Sequence, residues 1–262
     1  MRPSTIVTAT LALAANAAPT TFPILDLKDN LARAPDGLSD YFNLIASKVP
    51  AAKALSSLPT CDLSKARMPV GVDGLPAPDD GTKVRHVAVG RGTQNYTCDP
   101  SNESVAPKAA GAVATLFNAS CLAALHPDVL SRMPAMAVHF KLEEDAQKLG
   151  PRAMAKSGLH YFTDGSTPHF DMDTPKETIA QVDCAKDGSS NAPATAAVGQ
   201  HGEKAVAWLR LATKGGTTGD IKHVYRVDTA GGSPPATCKD MPAKFQVEYA
   251  AVYWFWQGSS RE

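Results

Sequence analysis

Alternation of apolar and polar positions is clearest near the end of the chain. From Phe245 to Trp256, Phe245, Val247, Tyr249, Ala251, Tyr253 and Phe255 occupy one set of alternate positions, against Gln246 and Glu248 on the other. A period of two predicts a strand. Ile221 to Asp228 repeats it: Ile221, His223, Tyr225 and Val227 share one face, and Lys222, Arg226 and Asp228 the other. Val206 to Thr213 is apolar on both faces, as a central strand is. Upstream, Val84 to Val89, Thr93 to Cys98, Ala112 to Asn118 and Thr178 to Cys184 read as shorter strands, with Gly90-Arg91-Gly92 as a hairpin or bulge between the first two. Leu122 to Met133 reads as a helical insertion, after which Ala135 to Lys141 returns to strand. Joints at Gly215-Gly216, Gly231-Gly232 and Pro234-Pro235 separate the later runs. The fold class expected is mainly β, an antiparallel β-sandwich or barrel with one helical insertion.

Before residue 76 the period changes. Leu38, Tyr41, Phe42, Ile45 and Val49 recur at helical spacing after Asp36-Gly37, and Pro50 stops the run. A second short helix is expected from Pro50 to Ser56. Pro69 to Gly81, with Pro76, Pro78 and Asp79-Asp80-Gly81, reads as a linker or extended arm. The organisation expected is a signal peptide over 1–17, a helical extension and linker over 18–75, and a β-rich domain over 76–262.

The stretch Gly158 to Asp173 predicts a hairpin folded at Asp164-Gly165. With a two-residue loop, paired positions sum to 329, which sets His160 opposite His169 with Asp171 on the same face. Two imidazoles and a carboxylate in that arrangement suit a divalent metal with open positions. The competing reading is a pair of edge-hairpin histidines, since Pro168 removes a ladder donor. His223, on an otherwise apolar face, reads as a hydrogen-bonded core residue. Trp254 and Trp256 lie on the face opposite Tyr253, and the choice there is between core packing and an aromatic platform for a sugar, with packing favoured.

Other catalytic patterns are missing: no G-x-S-x-G, H-E-x-x-H, Walker or EF-hand motif occurs. Gly90-Arg91-Gly92-Thr93-Gln94-Asn95 begins like a dinucleotide fingerprint, but Asn95 stands at its third glycine and no helix is expected to follow.

The compartment follows from the first residues. Arg2, an apolar run from Thr5 to Ala15, and Ala15-Asn16-Ala17 form a secretory signal with cleavage expected after Ala17. Asn95, Asn102 and Asn118 each begin a glycan sequon. The five cysteines lie too far apart for a zinc knuckle, and in an oxidising compartment they read as two disulfides and one odd thiol. Lys plus Arg and Asp plus Glu are 26 each, so no charge field supports a nucleic-acid partner, and no other run approaches the length of a membrane span.

Several blocks in order resemble a secreted family of unknown function found in fungi and bacteria, domain of unknown function 3455. They are Gly92 to Cys98, Gly111 to Phe117, His160-Tyr161 with Asp164-Gly165-Ser166, Ala207 to Leu211, Val224 to Gly232 leading to Cys238, and Val247 to Tyr253. The resemblance implies a Cys98–Cys238 bridge, with Cys61–Cys121 as a second and Cys184 odd. It brings no catalytic residues. Some fungal relatives are labelled malate dehydrogenase or appressorium-specific, and the failed fingerprint lends the first label no support. The expectation is a secreted, glycosylated, disulfide-bonded surface or cell-wall protein, with a cell-wall polysaccharide or host surface as partner and no cofactor. The alternatives are a metal-dependent enzyme built on His160, His169 and Asp171, and a carbohydrate-binding module.

Overall fold

Nine antiparallel strands organise the described part of the chain. They are β1 (Lys83–Thr97), β2 (Lys108–Asn118), β3 (Lys148–Leu149), β4 (Met154–Thr163), β5 (Thr167–Thr174), β6 (Glu177–Ser190), β7 (Trp208–Thr213), β8 (Ile221–Gly231) and β9 (Lys244–Gln257). The computed structural model describes residues 61–69, 75–140, 148–149 and 154–258. The helices expected over 38–56, and residues 1–17, lie outside them.

Each long strand pairs with its neighbour in sequence, β1 pairs with β9, and β2 pairs with β4 across the helical insertion. The sheet therefore closes into an eight-stranded up-and-down barrel, with β3 a two-residue addition beside β4. Closure removes the edges on which an open sheet would aggregate. It also decides between the two expected architectures in favour of the barrel.

An eight-stranded barrel is just wide enough to be filled by side chains, and this one is. Leu116, Phe170, Met172, Val182, Leu211, Val224, Tyr249, Tyr253 and Phe255 are buried in one interior cluster. Gly90 faces inward where a Cβ would stand 2.5 Å from the Tyr253 ring. The Gly90-Arg91-Gly92 stretch is therefore no hairpin: β1 runs through it, Gly90 making room for Tyr253 of the adjacent β9 and Gly92 for the close backbone of the adjacent β2.

A second cluster lies on the outside. Val87, Val89, Phe117, Trp208, Tyr225, Val227, Val252 and Trp254 face outward, covered by Ala66, Met68 and three short helices, α1 (Ser120–Leu125), α2 (Pro127–Leu130) and α3 (Met133–Ala137). Ala135 to Ala137 belong to α3, where a return to strand was expected from Ala135 to Lys141. Arg91 anchors this layer: its side chain is 1% exposed, pairs with Glu248 and donates to the Phe140 carbonyl at 3.2 Å. A register shift between Ile221 and His223 sends Ile221 to the interior cluster, while His223, Tyr225 and Val227 stay outside. Ile221 and His223 thus occupy opposite faces, not the shared face that simple alternation predicts.

Disulfides join Cys61 to Cys121 and Cys98 to Cys238, the two pairs that the family resemblance implies. The first ties the chain ahead of the barrel to α1. The second ties the end of β1 to the loop before β9. Cys184 is a buried free thiol on β6.

Candidate functional site

The hairpin of β4 and β5 does not form the expected three-ligand set. Its loop has three residues, not two: Asp164 and Gly165 have φ of 50° and 74°, and Thr163 pairs with Thr167. The Asp164 carboxylate accepts from Ser166 N at 3.0 Å, Thr167 N at 2.9 Å and Ser166 Oγ at 2.8 Å. Those bonds fix the longer turn and hold the Asp164 carboxyl down at about 2. Paired positions then shift by one residue, so His160 faces Phe170 and His169 faces Tyr161. A one-residue shift exchanges the faces of the sheet. His160 points into the barrel, stacked on Phe170 with ring centroids 4.2 Å apart. Its Nδ1 donates to the His169 carbonyl at 2.9 Å, and burial lowers its imidazole to about 4. His169 lies on the outer face, where Nδ1 is 2.7 Å from Asp183 Oδ1. Asp171 also faces out and accepts from Asp173 N. Among the described residues no group of three or more His, Cys, Asp or Glu is placed to hold a metal ion.

The aromatic platform is not formed either. Trp254 is 1% exposed beneath the helical layer, and Trp256 packs partly buried against the same cluster.

A depression lies elsewhere, on the outer face at one end of β7 and β8. It has a volume of about 690 Å³ and is open to solvent. The arm over 75–82 forms one side, bringing Asp79, Asp80 and Thr82; Thr213, Asp220 and Lys222 form the other. Alternation on β7 and β8 explains the arm's attachment, since Arg210, His223 and Tyr225 all project outward beneath it. Asp79 Oδ1 accepts from Arg210 at 2.6 Å and Asp79 Oδ2 from His223 Nε2 at 2.7 Å. The second terminal nitrogen of Arg210 reaches Asp187 at 2.9 Å. The Tyr225 hydroxyl donates to the Pro76 carbonyl at 2.9 Å. Gly188 lets Pro76 lie close, since a Cβ there would approach Pro76 Cδ to 2.8 Å.

This network is a clasp. The hydrogen bond from His223 is the main reason the Asp79 carboxyl sits below the usual carboxylate range. His223 meets Asp79 through Nε2, and one terminal nitrogen of Arg210 lies against the imidazole, 3.1 Å from Nε2 and 3.2 Å from Nδ1. The cleft beside the clasp remains polar, with Lys222 paired to Asp220 at 2.6 Å and the Thr213 hydroxyl donating to the Ile221 carbonyl at 3.1 Å.

His223 fits its reading as a hydrogen-bonded buried residue, although on the outer face. Asp79 and Arg210 were not singled out by sequence reasoning. The only signal for Arg210 is a charge within Trp-Leu-Arg-Leu-Ala, and nothing local links it to an aspartate 131 positions away.

A family model described as a protein of unknown function (DUF3455) matches residues 78–257. The match begins at the clasp and contains all eight barrel strands. No curated protein and no solved structure matches the chain.

Proposed function

The chain belongs to the DUF3455 family of proteins of unknown function, and from that premise we propose that it is a secreted, glycosylated protein that binds cell-wall polysaccharide through the outer cleft. The observation that carries this reading is the cleft itself, which is open, polar and furnished with hydrogen-bonding groups. Asp80, Thr82, Thr213, Asp220 and Lys222 line it without an aromatic or long aliphatic wall. Such a lining suits a hydroxyl-rich chain that can run out at either end, rather than an enclosed apolar molecule.

Secretion draws support from the signal-like first 17 residues and from two disulfides, which persist in oxidising compartments. Of the sequon asparagines, Asn102 and Asn118 are exposed and Asn95 is half-buried on β1. Binding is preferred to catalysis because the histidine beside the cleft is tied into the clasp, with Nε2 on Asp79 and the ring against Arg210. The test is retention of the mature protein on insoluble wall polysaccharide. Lys222→Ala should reduce retention, and a variant that binds as well as the parent would remove the cleft from the account.

A further inference from the structure

A smaller depression of about 280 Å³ lies between the helical layer and the barrel. Asp228 and Thr229 of β8 contribute to it, with Trp208 of β7, Arg132 from the insertion, and Thr195 from the loop after β6. In a regular strand Asp228 would follow outward-facing Val227 and point into the barrel. Instead β8 shifts register between Val227 and Ala230, and Asp228 adopts φ +47°. That left-handed conformation is uncommon for a side-chain-bearing residue, though Asp and Asn tolerate it best. The irregularity brings the carboxyl to the outer pocket.

Nothing in the described residues compensates that carboxyl. It makes no hydrogen bond or ion pair there, and burial alone pushes it up to about 7. Arg132 lines the same pocket without pairing with it. The hydroxyl of Thr229 is already used, donating to the Val206 carbonyl at 2.6 Å. Strained backbone holding a half-buried, unpartnered acid in a pocket is a functional pattern rather than a stabilising one.

We propose that this pocket binds one neutral, polyhydroxylated ring, a monosaccharide unit, with Asp228 accepting from its hydroxyls and Arg132 donating to them. A cationic ligand would meet Arg132 and an anionic one Asp228, whereas vicinal hydroxyls satisfy both. The volume lies just below the roughly 300–1,000 Å³ of small-molecule pockets, which suits a single ring and not a chain. This inference does not rest on the polysaccharide cleft, which is lined by different residues.

The experiment is saturation-transfer NMR and calorimetry on the mature protein at pH 8, with glucose, mannose, galactose and N-acetylglucosamine offered separately. At least one should bind with a millimolar Kd. Asp228→Asn, which retains size and tolerance of the left-handed conformation, should weaken it at least tenfold, and Arg132→Ala severalfold. Lys222→Ala in the cleft should leave it unchanged. Absence of binding by all four sugars overturns the proposal, as does binding undiminished in Asp228→Asn; if that variant fails to fold, undiminished binding in Arg132→Ala overturns it instead. Monosaccharide binding that depends on Asp228, without polysaccharide retention, would sink the cleft reading and leave this one standing.

Discussion

Asp79 and His223, 144 positions apart, meet at 2.7 Å and fasten the arm ahead of β1 to the outer face of β8. Arg210 shares the same carboxylate and carries the contact on to Asp187. Because Asp79 is 61% exposed at its side chain, the clasp adds little to global stability. Its main effect is local order in the arm that borders the cleft.

Asp79→Ala should therefore shift the melting temperature only slightly while speeding amide exchange in the arm, over residues 75–82. Hydrogen-exchange mass spectrometry measures this. Unchanged exchange in the arm would mean that Tyr225 and the packing around Pro76 hold it without the clasp.

His160 and His169 should behave as residues of different kinds. His160 is fully enclosed against Phe170 and Tyr253, so His160→Ala opens a cavity and should cost about 2–5 kcal/mol, in the manner of large core truncations. His169→Ala on the outer face should cost about 1 kcal/mol or less. Denaturant midpoints separate the two, and equal losses would contradict the register.

The buried histidines also set an acid limit. Burial lowers His160 to about 4 and His86, held between Ser157 and Ser120, to about 3. Both folded values lie below the ordinary 6.5, so below that pH the unfolded chain takes up protons that the folded chain refuses. Their contribution is complete above pH 6.5 and is lost progressively as pH falls towards 4 and then 3. Thermal unfolding between pH 7 and 4 should show this decline, and a flatter profile should appear in His160→Phe if that variant folds. A melting temperature that stays level through the window would contradict neutral buried histidines.

Cys184 should be silent in the native protein. It is buried among interior side chains, and burial pushes its thiol up to about 12. Since the thiolate is the reactive form, native protein should resist iodoacetamide, and one cysteine per chain should react after denaturation without reductant. Rapid labelling of folded protein would contradict the barrel interior.

How far the sequence reveals this molecule depends on the range of each interaction. Alternation located β2 and β6 to β9, because a side chain's face depends on its immediate neighbours. Closure was not legible, since the pairings of β1 with β9 and β2 with β4 leave no local mark. The hairpin failed by a single residue: the Asp164 side chain stabilises a three-residue loop, and that step separates His160 from His169. Gly90 reads as a chain break until the Tyr253 ring on the neighbouring β9 is seen packed over it. The Asp79–His223–Arg210 clasp joins three distant segments, so no spacing rule could find it. Asp228, just ahead of Gly231-Gly232, carried a faint signal as an acid at the end of an apolar strand, but only the bulge shows where it points.

Polysaccharide binding in the outer cleft is tested by amide chemical-shift mapping of the mature, isotope-labelled protein as soluble wall oligosaccharide is added. Shifts are expected to concentrate at Asp79 to Thr82, Thr213, Asp220, Lys222 and His223, which line the cleft. Saturable binding mapped to another face of the barrel, or no shift at all, would contradict it.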